Sequence, residues 1–229
     1  MSMEAIIDDK LAWKRLKEDE NLKGNTFVFF GLTVLAIIPI LNIITLPIIS
    51  ILTLGYFLNL AHIRIFKPDN PLPKWSDFGK LLGIGFKAII VSIIIGLPVG
   101  IPINIAAQAA VSSGDITSIP TILLFATVAQ CIVFIIYSII VLAYITNFKI
   151  KSFFNIKAIK HIIKSDLFSA YIIKVSVCGI LMSLAIFILP ITIIGVFFIP
   201  MIMYRFLAVI ADLQAQFIRY AFKIGQKHQ

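Results

Sequence analysis

Apolar residues fill 60% of the 229 positions and charged ones 14%, against about 45–50% and about 25% in a soluble domain. A soluble fold of this size cannot bury so much apolar surface, so that class is excluded and much of the chain must face lipid. The formal charge of +9 falls in four basic clusters between long uncharged runs. That distribution fits the marking of one side of a membrane rather than a patch that binds nucleic acid.

In chain order, residues 1–25 read as a cytoplasmic or interfacial N-terminal segment. Within it, residues 4–23 carry Leu11, Trp13, Leu16 and Leu22 among five basic and six acidic side chains. The pattern predicts a polar or weakly amphipathic helix at the membrane surface, with Trp13 as an interfacial anchor at headgroup level; a solvated tail is the competing expectation. Charge throughout, with no short apolar core before a small-residue cleavage site, speaks against a cleavable leader.

Residues 26–222 read as a single transmembrane domain. Thr26 to Phe66 is apolar for long enough to form two spans at about 20 residues each. Pro39 and Pro47 predict a turn between them, giving a short first span over Phe27 to Ile40 and a second over Pro47 to Arg64. The third span is expected over Leu81 to Ile103, ending at Pro98 and Pro102. Ile119 to Phe148 is uncharged and forms the fourth. Lys149 to Lys164 shows helical periodicity with a basic face, predicting a surface-lying helix whose Lys151, Lys157 and Lys160 contact anionic headgroups. Leu167 to Pro190 is the fifth span, Pro190 and Pro200 bracket the last turn, and a sixth helix runs to about Tyr220. Residues 223–229 form a cytoplasmic tail.

The fold class that follows is all-α: a polytopic membrane bundle of about six transmembrane helices in three proline-turn hairpins, with interfacial amphipathic helices. The three hairpins resemble one another weakly, as duplication or as convergence on one form. Short of Arg205, every Lys and Arg lies at the N-terminus, at 64–87, at 149–174 or at the C-terminus. The positive-inside rule then places both termini and the basic loops in the cytoplasm, in a multi-pass protein of the cell membrane. Cys131 and Cys178 fall inside apolar runs and read as buried thiols.

One stretch also carries a family resemblance. Gly55-Tyr56, the basic Arg64, then Leu72-Pro73-x-Trp75-x-Asp77-Phe78-Gly79 and Gly85-x-Lys87 resemble the core pattern of the domain-of-unknown-function family 4013. Its members are prokaryotic, largely archaeal, membrane proteins. The resemblance implies a membrane fold and location, and no established activity. In the layout of spans there is a more distant similarity to the membrane domain attached to some glycerophosphodiester phosphodiesterases.

No catalytic motif, phosphate-cradling loop or metal-ligand spacing is present, and His62, His161 and His228 are scattered. The chain therefore reads as a non-enzyme with no cofactor. Its expected partners are membrane lipids, with a membrane-protein partner or a second copy left open. The last helix holds the candidate site: Arg205, Asp212 and Arg219 recur every seven residues, nearly two turns, so they share a face. A charge at the bilayer centre costs about 2.5–3.5 kcal/mol, so Arg205 and Asp212 are expected to face protein or water. Tyr56, Asn59 and His62 on the second span and Gln130 on the fourth are the expected partners. Gly79-x-x-x-Gly83 and Gly96-x-x-x-Gly100 are candidates for close helix packing, and Trp75 with Phe78 for interfacial anchoring. Two functions fit: a scaffold that packs against partners, or a transporter or lipid-handling protein using the polar inner face.

Overall fold

The computed structural model describes residues 7–37, 39–114, 116–188 and 193–224, and every regular element among them is helical. The helices are α1 (Asp9–Lys17), α2 (Leu22–Ile37), α3 (Pro39–Phe66) and α4 (Phe78–Ser112), followed by α5 (Ile119–Ile145), α6 (Ile150–Phe153), α7 (Ile156–Ile163), α8 (Phe168–Ile188) and α9 (Ile193–Ala221). Helix starts follow local chemistry. The Asp8 carboxylate caps α1 by accepting from the Lys10 and Leu11 amides, Asp77 caps α4 at Lys80, and Asn155 caps α7 at Ala158. Proline opens α3, where its missing donor costs nothing.

Four described helices are long and apolar enough to cross a membrane: Thr45–Phe66, Phe78–Ser112, Phe168–Ala185 and Phe198–Ala221. Shorter apolar stretches cover Leu22–Leu35 and Ile135–Ile145. The all-helical, membrane-type fold expected from composition is therefore present.

Among the described residues the proline-bracketed turns are not. Pro47, Pro98, Pro102 and Pro200 all lie inside helices, and α3 begins at Pro39 rather than after a 39–47 turn. Residues 189–192, Pro190 among them, lie outside the described residues. In an apolar medium a broken helix exposes several backbone groups that nothing satisfies, whereas a proline within it frees only one carbonyl. The helix therefore continues through. As a result α4 is 35 residues long, about 52 Å at 1.5 Å per residue. That exceeds the hydrocarbon core of about 30 Å, so α4 must tilt or project.

Two glycines set the closest crossing. A Cβ on Gly55 would lie 1.9 Å from the Leu81 carbonyl oxygen, and one on Gly85 would lie 1.9 Å from the Ile51 oxygen. Only glycine lets the backbones of α3 and α4 meet there. Gly79, Gly83, Gly96 and Gly100 have nothing within 4 Å, so the packing role expected of them is corrected to Gly55 and Gly85. The Tyr137 and Tyr144 hydroxyls tie α5 to α4 by donating to the Ala88 and Ile84 carbonyls at 3.2 and 3.0 Å. Tyr171 stacks on Phe217 at 4.6 Å to join α8 and α9.

Helices α3 and α9 run parallel and in register: Tyr56 meets Tyr204 and Arg64 meets Asp212, each pair separated by the same 148 residues. Burial concentrates at this basic end, around Tyr56, Leu60, Ile65, Tyr144, Val209 and Phe217. Toward the other end the helices present apolar side chains outward, among them Ile105, Leu124, Phe125 and Ile180. The N-terminal segment is part of the packed end. Ile7, Ala12 and Leu16 are buried, and Trp13 meets Phe206 edge-on at 5.4 Å.

Candidate functional site

Asp212 is the centre of a buried charge cluster. Its position follows from the α3–α9 register, which sets it opposite Arg64, two residues from the end of α3. Arg64 Nε lies 3.8 Å from Asp212 Oδ1, and Arg64 Nη2 lies 3.6 Å from Asp19 Oδ2. The three side chains are 5%, 7% and 2% exposed respectively. Arg64 Nη1 donates to the Pro68 carbonyl. From α1, Arg15 reaches Asp212 Oδ2 at 3.6 Å and Asp69 Oδ1 at 3.1 Å. Two guanidinium groups thus alternate with three carboxylates, of which Asp69 is 85% exposed, and the alternation offsets the cost of removing the buried Arg64, Asp19 and Asp212 from water.

Hydrogen bonds hold this cluster in place. Gln216 Nε2 donates to Asp212 Oδ2 at 2.8 Å. The same amide grips the start of α1: Oε1 accepts from the Asp8 amide at 2.7 Å and Nε2 donates to the Asp8 carbonyl at 3.2 Å. The Leu72 amide donates to Asp19 Oδ2 at 2.6 Å, while Asn21 and Asn25 donate to the Leu72 and Pro73 carbonyls. Six segments therefore converge: α1, the α1–α2 link, α2, α3, the 67–77 loop and α9. At the edge of α1, Lys174 Nζ donates to Asp9 Oδ1 at 2.8 Å, which holds the Asp9 carboxyl below the usual carboxylate range.

Beside the charges lies an aromatic layer. Tyr56 donates to the Pro73 carbonyl at 2.9 Å, so in its 2.8 Å contact with Tyr204 the proton comes from Tyr204. Trp75 stacks on Tyr56 at 4.0 Å with planes 5° apart, and Phe29 closes the group. A cleft of about 420 Å³ opens next to the charges, lined by Arg15, Glu18, Asp19, Glu20, Arg64 and Asp69, with Asn70 and Pro71. Among the described residues no group of three or more His, Cys, Asp and Glu side chains is placed to hold a metal ion.

The expected site residues separate. Asp212, Asn59 and Tyr56 are buried at the basic end. Arg205 is exposed and does not join them. It follows Tyr204, two hydrogen bonds from the Pro73 carbonyl, so it lies near the depth of the 67–77 loop. The Gln130 side chain lies outside the described residues. His62 turns to α5, with Nδ1 2.6 Å from the Ile145 carbonyl oxygen. Trp75 is 8% exposed and packed within the chain, which corrects its expected role as an interfacial anchor. Trp13 is half-buried against Phe206, Phe78 is exposed, and Lys151, Lys157 and Lys160 are exposed.

Arg15, Asp19 and the pairing of Arg64 with Asp212 are absent from the sequence expectation. Spacing relates residues only along one element, and these partners come from separate ones. The available signal is narrower: Arg64 lies in register with Tyr56 and Leu60 on the buried side of α3.

An all-helical protein with membrane-length apolar helices, closed at its basic end by a buried ionic cluster, is the class these features define. A protein-family model described as "Protein of unknown function (DUF4013)" matches residues 37–194. That is more than half of the chain, which belongs to this family. The match takes in Arg64 and the 67–77 loop, while α1 and most of α9, which supply Arg15 and Asp212, lie beyond it. No curated protein and no solved structure matches the chain significantly.

Proposed function

We propose that this chain is a non-catalytic multi-pass membrane bundle with a scaffold or partner-packing role. In this reading it crosses the cell membrane six times, with both termini and the basic end in the cytoplasm. What supports the role is the fate of the Asp212 carboxylate. It faces Arg64 and Arg15 and accepts from Gln216 through Oδ2, so it joins segments of its own chain. Guanidinium groups keep their protons at any physiological pH, which suits a fixed staple and not a proton relay.

Thiol reactivity tests this. With Cys131 and Cys178 replaced by alanine, Asn59→Cys should stay unreactive toward a small charged thiol reagent in the folded protein. Arg205→Cys, already exposed, serves as the comparison. Rapid modification at position 59 would indicate a water-filled path within the bundle and favour a transporter or lipid-handling protein instead.

A further inference from the structure

Between α5 and α8 the sequence predicts one basic helix, and the structure contains two. Helix α6 ends at Phe153, and α7 restarts at Ile156 after an Asn155 cap. The break decides which side chains turn inward. Phe153 stacks on Tyr144 at 4.1 Å, Ile162 is fully buried, and the His161 ring bonds the Ala221 carbonyl beside Phe222. The backs of both short helices are therefore seated on the bundle.

Their fronts are not. Ile150, Phe154, Ile156 and Ile163 are 54%, 59%, 65% and 46% exposed. Around them stand Lys149, Lys151, Lys157, Lys160 and Lys164, all exposed. In residues 149–166 the one carboxylate is Asp166. On α7, Ile156, Lys160 and Ile163 follow the spacing of four and seven that puts them on one face. Through Phe148 and His62 the apolar surface continues to Phe66, itself 54% exposed.

We infer that this front is a docking surface for anionic phospholipid headgroups: Phe154, Ile156 and Ile163 enter the acyl boundary and the lysines meet the phosphates. Two observations favour lipid over a protein partner. The cations are lysines, point charges suited to mobile phosphates, with no arginine fork to fix one carboxylate or phosphate geometry. And α6–α7 directly joins two long apolar helices, so its exposed face stays close to the apolar surface of the bundle. The inference is independent of whether the bundle is a scaffold or a conduit.

The test uses the full chain in lipid nanodiscs, with Cys131 and Cys178 replaced by alanine and Ile156→Cys carrying an environment-sensitive fluorophore. In phosphatidylglycerol mixed with phosphatidylcholine, emission should shift to the blue and nitroxide-labelled acyl chains should quench it. Phosphatidylcholine alone, or about 1 M salt, should weaken both effects. K151Q, K157Q and K160Q together should lower the docking equilibrium roughly 100-fold, at about fivefold per lysine, and Lys→Arg replacements at the same positions should retain it. Circular dichroism checks that the variants remain helical. Equal quenching in both lipids would overturn the role of the anionic headgroup. Absence of quenching in either would overturn the lipid surface and leave the face to a protein partner.

Discussion

Arg64 and Asp212 face each other across α3 and α9, with Nε and Oδ1 3.8 Å apart and both side chains less than a tenth exposed. Asp212 also meets Arg15 from α1, so one carboxylate holds two cations from elements far apart in sequence. Replacing Asp212 by leucine leaves the buried Arg64 and the half-buried Arg15 without it and should cost about 3–5 kcal/mol. Arg205→Met, on the exposed face, should change stability by no more than about 0.5 kcal/mol. Thermal denaturation in detergent compares them. A larger loss for Arg205→Met would mean that Arg205, and not Asp212, carries the structural charge of α9.

This contrast shows what the sequence reveals and what it hides. Composition and run length make the helical membrane fold legible, because the need to satisfy every backbone group in lipid acts on each segment separately. The buried carboxylate Asp212 is legible because a charge within an apolar run is costly to leave facing lipid. Its partners are not, because the α3–α9 register is fixed by packing over 148 residues. Pro47, Pro98, Pro102 and Pro200 mislead as turn signals because a helix interrupted in lipid exposes more than a kinked one. Gly55 and Gly85 appear in the sequence only as motif letters, since nothing in the spacing of four along one helix reports a crossing with another.

Gly55→Ala and Gly85→Ala should each prevent the α3–α4 crossing. The added methyl would meet a backbone oxygen at 1.9 Å, and backbone cannot rotate away as a side chain can. The loss should exceed the ordinary overpacking cost of about 1–3 kcal/mol. Gly83→Ala, with open space around it, should instead be neutral or gain about 0.5–1 kcal/mol from helix propensity. Thermal melting and yield of monodisperse protein distinguish these outcomes; equal tolerance at positions 55 and 83 would contradict the crossing.

Tyr56→Phe deletes the hydroxyl that donates to the Pro73 carbonyl and accepts from Tyr204. Stability should fall by about 1–3 kcal/mol, because both partners lose a buried bond. The 67–77 loop should also become more accessible to protease. Protection unchanged from the parent would mean that the Trp75 stack alone holds the loop.

The Asp9–Lys174 bond sets a small pH dependence. Asp9 is held below its unfolded value by the hydrogen bond from Lys174. Its contribution is therefore complete above the unfolded carboxylate pKa and lost as pH falls through the lower folded one. Both side chains are partly exposed, 47% for Asp9 and 29% for Lys174, so solvent screening keeps the effect below about 1 kcal/mol. Asp9→Asn should lower the melting temperature slightly at neutral pH and leave it unchanged in strong acid. A variant that differs more in acid than at neutral pH would reverse the assigned sign.

The most direct test of the ionic staple is a double-mutant cycle on Arg64 and Asp212, read as stability in detergent. Arg64→Met leaves Asp212 and Asp19 without their shared cation, and Asp212→Leu leaves Arg64 and Arg15 without their shared carboxylate. Each single variant should be strongly destabilised. The double variant should be more stable than the sum of the two losses predicts, by about 0.5–3 kcal/mol, because each change removes a charge that the other had stranded. Strict additivity would show that the two side chains do not act on each other, and the buried cluster would then not be what joins α3 to α9.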